Sequence, residues 1–427
     1  MNDSSGFGFA ATIGLDWADQ KHDVWLRPAD GSRPEHVQVE QSAEKVHAWV
    51  AGLRARFGGG RLALGVETSR GPVISALMAY DFIVIFPVNP KALKDYRAAF
   101  CVSGAKNDRT DAQLLEEYVR LHGQKLKALE PDDVLTRKLA GLTEARRQLV
   151  DERTRVINQT HARLKMYYPL AEQLVGAQLN TVMAADFLLR WPDLESLQRE
   201  RADKVRAFFY GHNSRSKKRM EARLEAIKAA QPLTSDAAIV EPSRALVSAL
   251  ARVLKSLHQS IGQLDRAIEQ AMDAHPDAAI FRSLPGAGPA LAPRLLAAFG
   301  SRRERFESAE AVAQFYGIAP VVVQSGNMEV TRMRHRCPKF GRQTFHENAS
   351  WAARTEAWAR QYYQGHRQRH DEHHQACRAL AYKLIRIYFA CWKNKTTYRS
   401  DRYEEALKKH GSPISSRLSV QPVNKIL

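Results

Sequence analysis

Cysteine is scarce in this chain of 427 residues: there are four, Cys101, Cys337, Cys377 and Cys391, and no two form a CxxC pair. That spacing argues against structural zinc and a disulfide framework, and for a reducing compartment. Long apolar runs are missing too, none approaching the roughly 20 residues a membrane span requires. The opening "MNDSSGFGFAATIGLDWADQ" has neither a basic n-region nor an apolar h-region, so the expectation is a soluble cytoplasmic protein with no membrane partner. Gly58 to Gly60 precede a strand-like run and no GK[ST] follows, which excludes a P-loop. Acid is in deficit. Asp plus Glu number 46 against 64 Lys plus Arg, a formal charge of +18 and a pI near 9.8, pointing to a polyanionic partner. The surplus is local: residues 1–100 carry 11 basic and 11 acidic side chains, so all of it follows Phe100.

A chain this long exceeds what one hydrophobic core serves. Four regions are expected: 1–124 as a metal-binding catalytic domain, 125–275 as a basic helical and coiled-coil region, 276–410 as a mostly helical C-terminal domain, and 411–427 as a tail. In the first, "ATIGLDW", "KHDVWLRP" and "EHVQVEQ" read as a three-strand antiparallel meander. Then "SAEKVHAWVAGLRARF" is helical, "RLALGVE" a buried strand, "PVISALMAY" helical and "DFIVIFPV" another buried strand. The order is βββαβαβα, its last helix opening at "AKNDRTDAQLLEEYVRL". The fold class is thus α/β followed by all-α.

From Pro131 to Pro169 a long basic helix carries Leu135, Leu142, Leu149 and Val156 at heptad spacing, with Arg146, Arg147 and Arg153 among the arginines around it. Few acids stand beside them in sequence, so a nucleic-acid backbone is the favoured partner over a solvated face. A second seam, Leu250, Leu254, Leu257, Ile261, Leu264 and Ile268, suits either a helix pair within the chain or a dimer contact. The stretch from Leu170 to Glu241 is less legible. Aromatics from Trp351 to Trp392 read as core rather than stacking platforms.

Asp108 and Asp111 stand three residues apart at a helix start. A capping role explains them locally, with Asp108 as the cap; so does a cation shared by two carboxylates on one face. Two further acids decide between these. Asp16 interrupts the apolar first strand and Glu67 ends the fourth, and a buried carboxylate must be protonated, paired or metal-bound. In a βββαβαβα layout these strands are neighbours and the last helix packs over their ends. Asp16, Glu67, Asp108 and Asp111 therefore converge on one expected site for Mg²⁺, with Mn²⁺ a substitute, suited to two-metal phosphodiester chemistry.

That order of strands and acids resembles a RuvC-like, ribonuclease-H-type domain over residues 10–122. More narrowly, "VNPKALKDYRAAFCVSGAKNDRTDAQLL" resembles the DEDD insertion-sequence transposases, the bridge-RNA-guided recombinases, with Lys106-Asn107 where that family usually has Lys-Thr or Lys-Ser. Lys106 is counted with the nucleic-acid contacts.

Downstream, Pro285-Gly286-Ala287-Gly288 suits a helix-hairpin-helix whose backbone N–H groups face a phosphate, Gly286 and Gly288 included; a tight turn with no ligand suits it as well. Ser325-Gly326 alone says little. The words "LPGAGP", "FYGIAP", "QSG", "KFG" and "ACRALAYKLIRIYFACWKNKTTY", however, occur in the order of the same family's C-terminal domain. The resemblance implies that Ser325 is a nucleophile joining DNA through a phosphoserine, that its site is composite across subunits of a dimer or tetramer, and that a structured guide RNA is a partner in the bacterial cytoplasm. Arg332, Arg334, Arg336, Lys339 and Arg342 follow closely and are expected on the scissile DNA backbone. His366, His370, His373 and His374 have helical spacing but read as solvated rather than metal-bound. Two other functions fit: a Holliday-junction-resolvase-like metal nuclease in which Ser325 is structural, and an inactive nucleic-acid-binding protein.

Overall fold

The computed structural model describes residues 8–100, 107–326, 328–369 and 372–412. Its internal packing separates two compact units, Met1–Pro131 and Asp132–Leu427.

The first unit is a five-stranded mixed sheet between helices. β1 (Ala11–Asp16), β2 (Lys21–Pro28) and β3 (Glu35–Glu40) form the expected meander; β4 (Leu62–Val66) and β5 (Ile83–Pro87) add in parallel beyond β1, giving the order β3-β2-β1-β4-β5. Period-2 alternation sorts the side chains. Ile13, Leu15, Leu62, Leu64 and Val66 pack with Val46, Val50 and Leu53 of α1 (Ala43–Arg56) and with Val73 and Leu77 of α2 (Pro72–Leu77). The opposite face holds Ala63, Phe86 and Val88 against α3 (Pro90–Phe100) and α4 (Asp108–His122). β4 is buried along its whole length because helices cover both faces, the reason its sequence is continuously apolar. One helix was not foreseen. α3 stands between β5 and the acid-bearing helix, with Pro90 opening it and the Asn89 side chain accepting from the Lys91 N–H at 2.9 Å.

The second unit is built on two long antiparallel helices, α5 (Val134–Tyr167) and, later in the chain, a 37-residue helix, Ala237–Asp273. Between them run α6 (Leu170–Val175), α7 (Val182–Arg190), α8 (Leu194–Gln198), α9 (Ala202–Gly211) and α10 (Lys217–Ala229), so the 37-residue helix is α11. α5 and α11 pack along each other within the chain, which answers the alternative left by the Leu250–Ile268 seam. On α5 only Val156 of the heptad line is buried. Thr136, Leu139, Thr143, Val156 and Thr160 are buried, while Leu142 and Leu149 lie at the edge of the seam. The threonine hydroxyls at 143 and 160 donate back to carbonyls one turn earlier, at 2.9 and 2.8 Å, and need no outside partner.

One end of this pair shares a core with α6–α10 around Phe187, Trp191 and Phe209; the other shares a core with the C-terminal helices α12 (Ala278–Arg282), α13 (Ala292–Phe299), α14 (Ala309–Phe315), α15 (Lys339–Thr355), α16 (Ala357–Gln368), α17 (His373–Lys393) and α18 (Ser400–Lys409). A two-stranded hairpin, β6 (Val321–Ser325) with β7 (Met328–Arg332), interrupts these helices. Trp358, Tyr388 and Trp392 are fully buried core residues, as expected, whereas Trp351 is half exposed with the Arg354 guanidinium over its ring. The tail expected at 411–427 lies outside the described residues from 413 onward.

Candidate active site

Two glycines determine how closely α4 can approach the sheet. Gly14 of β1 and Gly65 of β4 are paired in register, and both face α4. A Cβ on Gly14 would lie 1.9 Å from the Ala112 carbonyl oxygen, and one on Gly65 would lie 2.8 Å from that of Leu115. The helix backbone thus rests on the strands. Asp16 is two residues past Gly14 on the same face, about 7 Å along the strand. Leu15 pairs with Val66, so Glu67 is the next position in register beside Asp16. Asp111 immediately precedes Ala112 on α4 and Asp108 is one turn earlier.

Local chemistry at the helix start differs from the capping explanation. The cap is Asn107, whose side-chain oxygen accepts from the Arg109 N–H at 3.1 Å, so Asp108 is the first helical residue and exposed. Asp111 is buried and ion-paired with Arg97 of α3. Beside Arg97 in the chain, the Tyr96 ring packs edge-on against Tyr118 at 5.2 Å and its hydroxyl donates to Glu117 at 2.8 Å. Burial, and then that carboxylate, push the Tyr96 phenol up to about 12. Among the described residues, no group of three or more His, Cys, Asp or Glu side chains is drawn together as a ready-made cation cage.

Three charged residues were missed in the sequence. Glu116, fully buried, accepts from the Thr12 hydroxyl at 2.6 Å and from Arg27 Nε at 3.2 Å, and is ion-paired with Arg120 at 3.4 Å. It locks α4 to β1 and β2 on the glycine face. Asp23 is paired across from Asp16 in register and accepts from His36 at 2.6 Å. Arg97 is the third. All three look like ordinary surface charge in sequence; only alternation counted from Asp16 along "KHDVWLRP" could have signalled Asp23.

In the second unit, Ser325 ends β6 opposite Met328, and Gly326 takes a left-handed φ of 57° in the tight turn. The Ser325 side chain lies outside the described residues, as do Lys106, Asn327 and His370. Arg332 closes β7. Arg342, in the first turn of α15, which starts at Lys339, donates to the Arg334 carbonyl at 3.4 Å and so holds the Arg334–Arg336 segment back against the helix. Gly286 has φ of 68°, and a Cβ there would lie 2.6 Å from the Ala352 nitrogen, which gives the hairpin a packing reason for its glycine; around Gly288 the space is open. The Pro285 carbonyl just before them accepts from Asn348 Nδ2 and from the Tyr388 hydroxyl, each at 2.9 Å.

Arg146 pairs with Asp265 of α11, and Arg147 with Asp151 and, at 3.6 Å, with Glu347 of α15. The local scarcity of acid is thereby corrected, since the partners arrive from distant helices. Arg153 lies in the α5–α11 seam, and burial, then the nearby Arg146 charge, lower its pKa. A cavity of about 330 Å³ opens beside them, lined also by Pro289, Arg294 and Phe340. Arg294 stacks over Phe340 at 4.7 Å and donates to Glu347 at 2.6 Å. His373 and His374 neighbour His346, a residue outside the sequence cluster, with ring centroids 5.1–6.4 Å apart.

The five-stranded ribonuclease-H-type sheet and the match to the DEDD transposase model place the chain among the DNA transposases of the RuvC-like class. Family comparison agrees: the DEDD transposase model matches residues 13–169, and the Transposase IS116/IS110/IS902 family model matches residues 278–364. The chain belongs to this insertion-sequence transposase family. It is 28% identical over 331 residues to the mini-circle putative transposase for IS117 of Streptomyces coelicolor, spanning 73% of this chain and 77% of that one. It is 29% identical over 399 residues to the insertion element IS900 uncharacterized 42 kDa protein of Mycobacterium paratuberculosis, spanning 90% and 96%. The DEDD domain implies a divalent metal, and no helix among the described residues is long and apolar enough to cross a membrane.

Proposed function

We propose that this transposase cuts and rejoins DNA through a Ser325 phosphoserine, with Asp16, Glu67, Asp108 and Asp111 holding Mg²⁺ or Mn²⁺, as a dimer or tetramer guided by a structured RNA in the bacterial cytoplasm. The observation that supports the metal half is the register: Asp16 and Glu67 follow the Gly14–Gly65 pair, and Asp111 precedes the Ala112 that touches Gly14. The donor set fits the ion, being all oxygen and all carboxylate, which hard divalent cations prefer over the nitrogen and sulfur ligands of zinc. Bound there, the ion supplies charge neutralisation at the scissile phosphate.

The chain's own residues do the rest. The Ser325 oxygen forms a bond to phosphorus, the bond from phosphorus to the departing strand oxygen breaks, the serine proton leaves, and the departing oxygen gains one. Rejoining reverses these events with a different strand. Arg332, Arg334, Arg336, Lys339 and Arg342 neutralise the flanking phosphates, while Lys106, Arg146, Arg147, Arg153 and the Gly286–Gly288 hairpin contact nucleic acid.

The test incubates protein, Mg²⁺, element-end DNA and co-expressed RNA, then looks for a covalent adduct on a denaturing gel. An adduct in wild type that is lost in Ser325→Ala and in Asp16→Ala supports the proposal. Cleaved ends without adduct, surviving Ser325→Ala but not Asp16→Ala, assign a metal nuclease instead.

A further inference from the structure

Arg97 occupies an unusual place. Its side chain is 18% exposed and the Asp111 side chain it pairs with 6% exposed, so both charges are withdrawn from water. Removing a guanidinium from water is costly unless its donors are met. Here Arg97 Nε is buried with no hydrogen-bond partner among the described residues. The ion pair is therefore incompletely satisfied on the arginine side, on an acid that the proposed function assigns to the cation.

The neighbourhood explains why a positive charge stands there at all. Asp16 is paired with Asp23 across the strands and Asp111 precedes the Ala112 that touches Gly14, so acids of like charge flank that contact, and like charges in a partly buried site repel. Arg27 and Arg120 are committed to Glu116. Arg97 reaches Asp111 from a different helix.

We propose that Arg97 is a built-in counter-ion: it holds Asp111 while the carboxylate set has no divalent cation, and a cation entering the set competes with it for that carboxylate. This rests on the metal reading of the four acids. Arg97 is a positioning residue on this account, and the orphaned Nε is what release would satisfy, since a displaced guanidinium can turn toward water or a DNA phosphate.

Isothermal titration of the full chain with Mn²⁺ alone tests this, without DNA and without turnover. Arg97→Gln should bind Mn²⁺ about tenfold more tightly than wild type, because the competitor is gone. It should also melt at lower temperature in chelator and regain wild-type stability when Mn²⁺ is added. Arg109→Gln removes the same charge from the first turn of α4, where Arg109 lies over the Trp25 ring, 5.5 Å from its centroid; it should leave Mn²⁺ affinity within twofold. Arg97→Lys keeps the charge without the planar fork and should fall between wild type and Arg97→Gln, which covers the case of a glutamine variant that does not fold. Equal or weaker Mn²⁺ binding by a folded Arg97 variant overturns the proposal, as does equal tightening by Arg109→Gln. The metal reading fails separately, if Asp16→Asn binds Mn²⁺ as wild type does.

Discussion

Gly14 and Ala112 are in backbone contact across the β1–α4 interface, close enough that one methyl group on Gly14 would lie 1.9 Å from the Ala112 carbonyl oxygen. Neither the strand nor the helix can yield alone, because Glu116 is bonded to Thr12 and Arg27 one turn further along the same interface. Gly14→Ala should cost about 3 kcal/mol, the upper range for overpacking, and weaken Mn²⁺ binding as the acids separate. Gly52→Ala on α1, where a Cβ meets open space, should gain up to about 1 kcal/mol from helix propensity. Urea unfolding of the two variants reads the contrast.

Glu116 presents the opposite problem, a buried charge whose partners are all in place. Glu116→Ala should destabilise by about 1 to 3 kcal/mol, because it removes a fully buried carboxylate that accepts from Thr12 and Arg27. Adding Arg27→Ala to it should cost less than the sum of the two single changes, which a double-mutant cycle in urea measures. Additive effects would mean that the pair contributes no coupling.

Acid should weaken the second unit before any carboxylate titrates. Burial holds the imidazoles of His258, His275 and His346 below the usual histidine value of 6.5; Arg153 adds to the effect at His258, while Asp133 partly opposes it at His275. A depressed folded-state pKa means the unfolded chain binds the extra proton first. The stability these groups contribute is therefore complete above about pH 6.5 and is lost as the pH falls through their folded values. Melting temperature should decline from pH 7 to 5.5, and His275→Asn should reduce that slope while lowering stability at pH 7, since His275 Nδ1 accepts from the Asp277 N–H and Nε2 meets the Thr136 hydroxyl at 2.9 Å. Asp133 acts in the other range: it accepts hydrogen bonds from Thr136 and Ser301 that outweigh its burial, and its contribution disappears only as the pH falls through carboxylate values.

The hairpin at Pro285 depends on two side chains from distant helices. Asn348 and Tyr388 both donate to its carbonyl, and the Tyr388 hydroxyl also reaches the Asn348 carbonyl oxygen at 2.6 Å. Asn348→Ala should cost about 2 to 3 kcal/mol, since it strips partners from two buried groups, and Tyr388→Phe about 1 kcal/mol, since Pro285 keeps Asn348. Guanidinium titration orders them; an equal cost would show that the amide adds nothing beyond the phenol.

Much of the first unit was legible because its signals are local. Alternation marks β1 to β3, a continuous apolar run marks β4, and an acid inside an apolar strand has few explanations, so Asp16 and Glu67 stood out. α3 was missed because "NPKALKDYRAAF" is short and amphipathic, with no strong stop before Asp108. The Leu170–Glu241 region resisted reading for a similar reason: its five helices span 5 to 13 residues, too few turns for a period to declare itself.

Sequence alone determined the order of strands, the basic surplus after Phe100 and, by resemblance, the family. What only tertiary structure decided is which charges meet. Arg97 with Asp111, Arg27 with Glu116 and Arg146 with Asp265 join residues 14 to 119 positions apart. Such pairings leave no periodic trace, because a charged side chain carries no record of the partner that folding brings within a few ångströms of it.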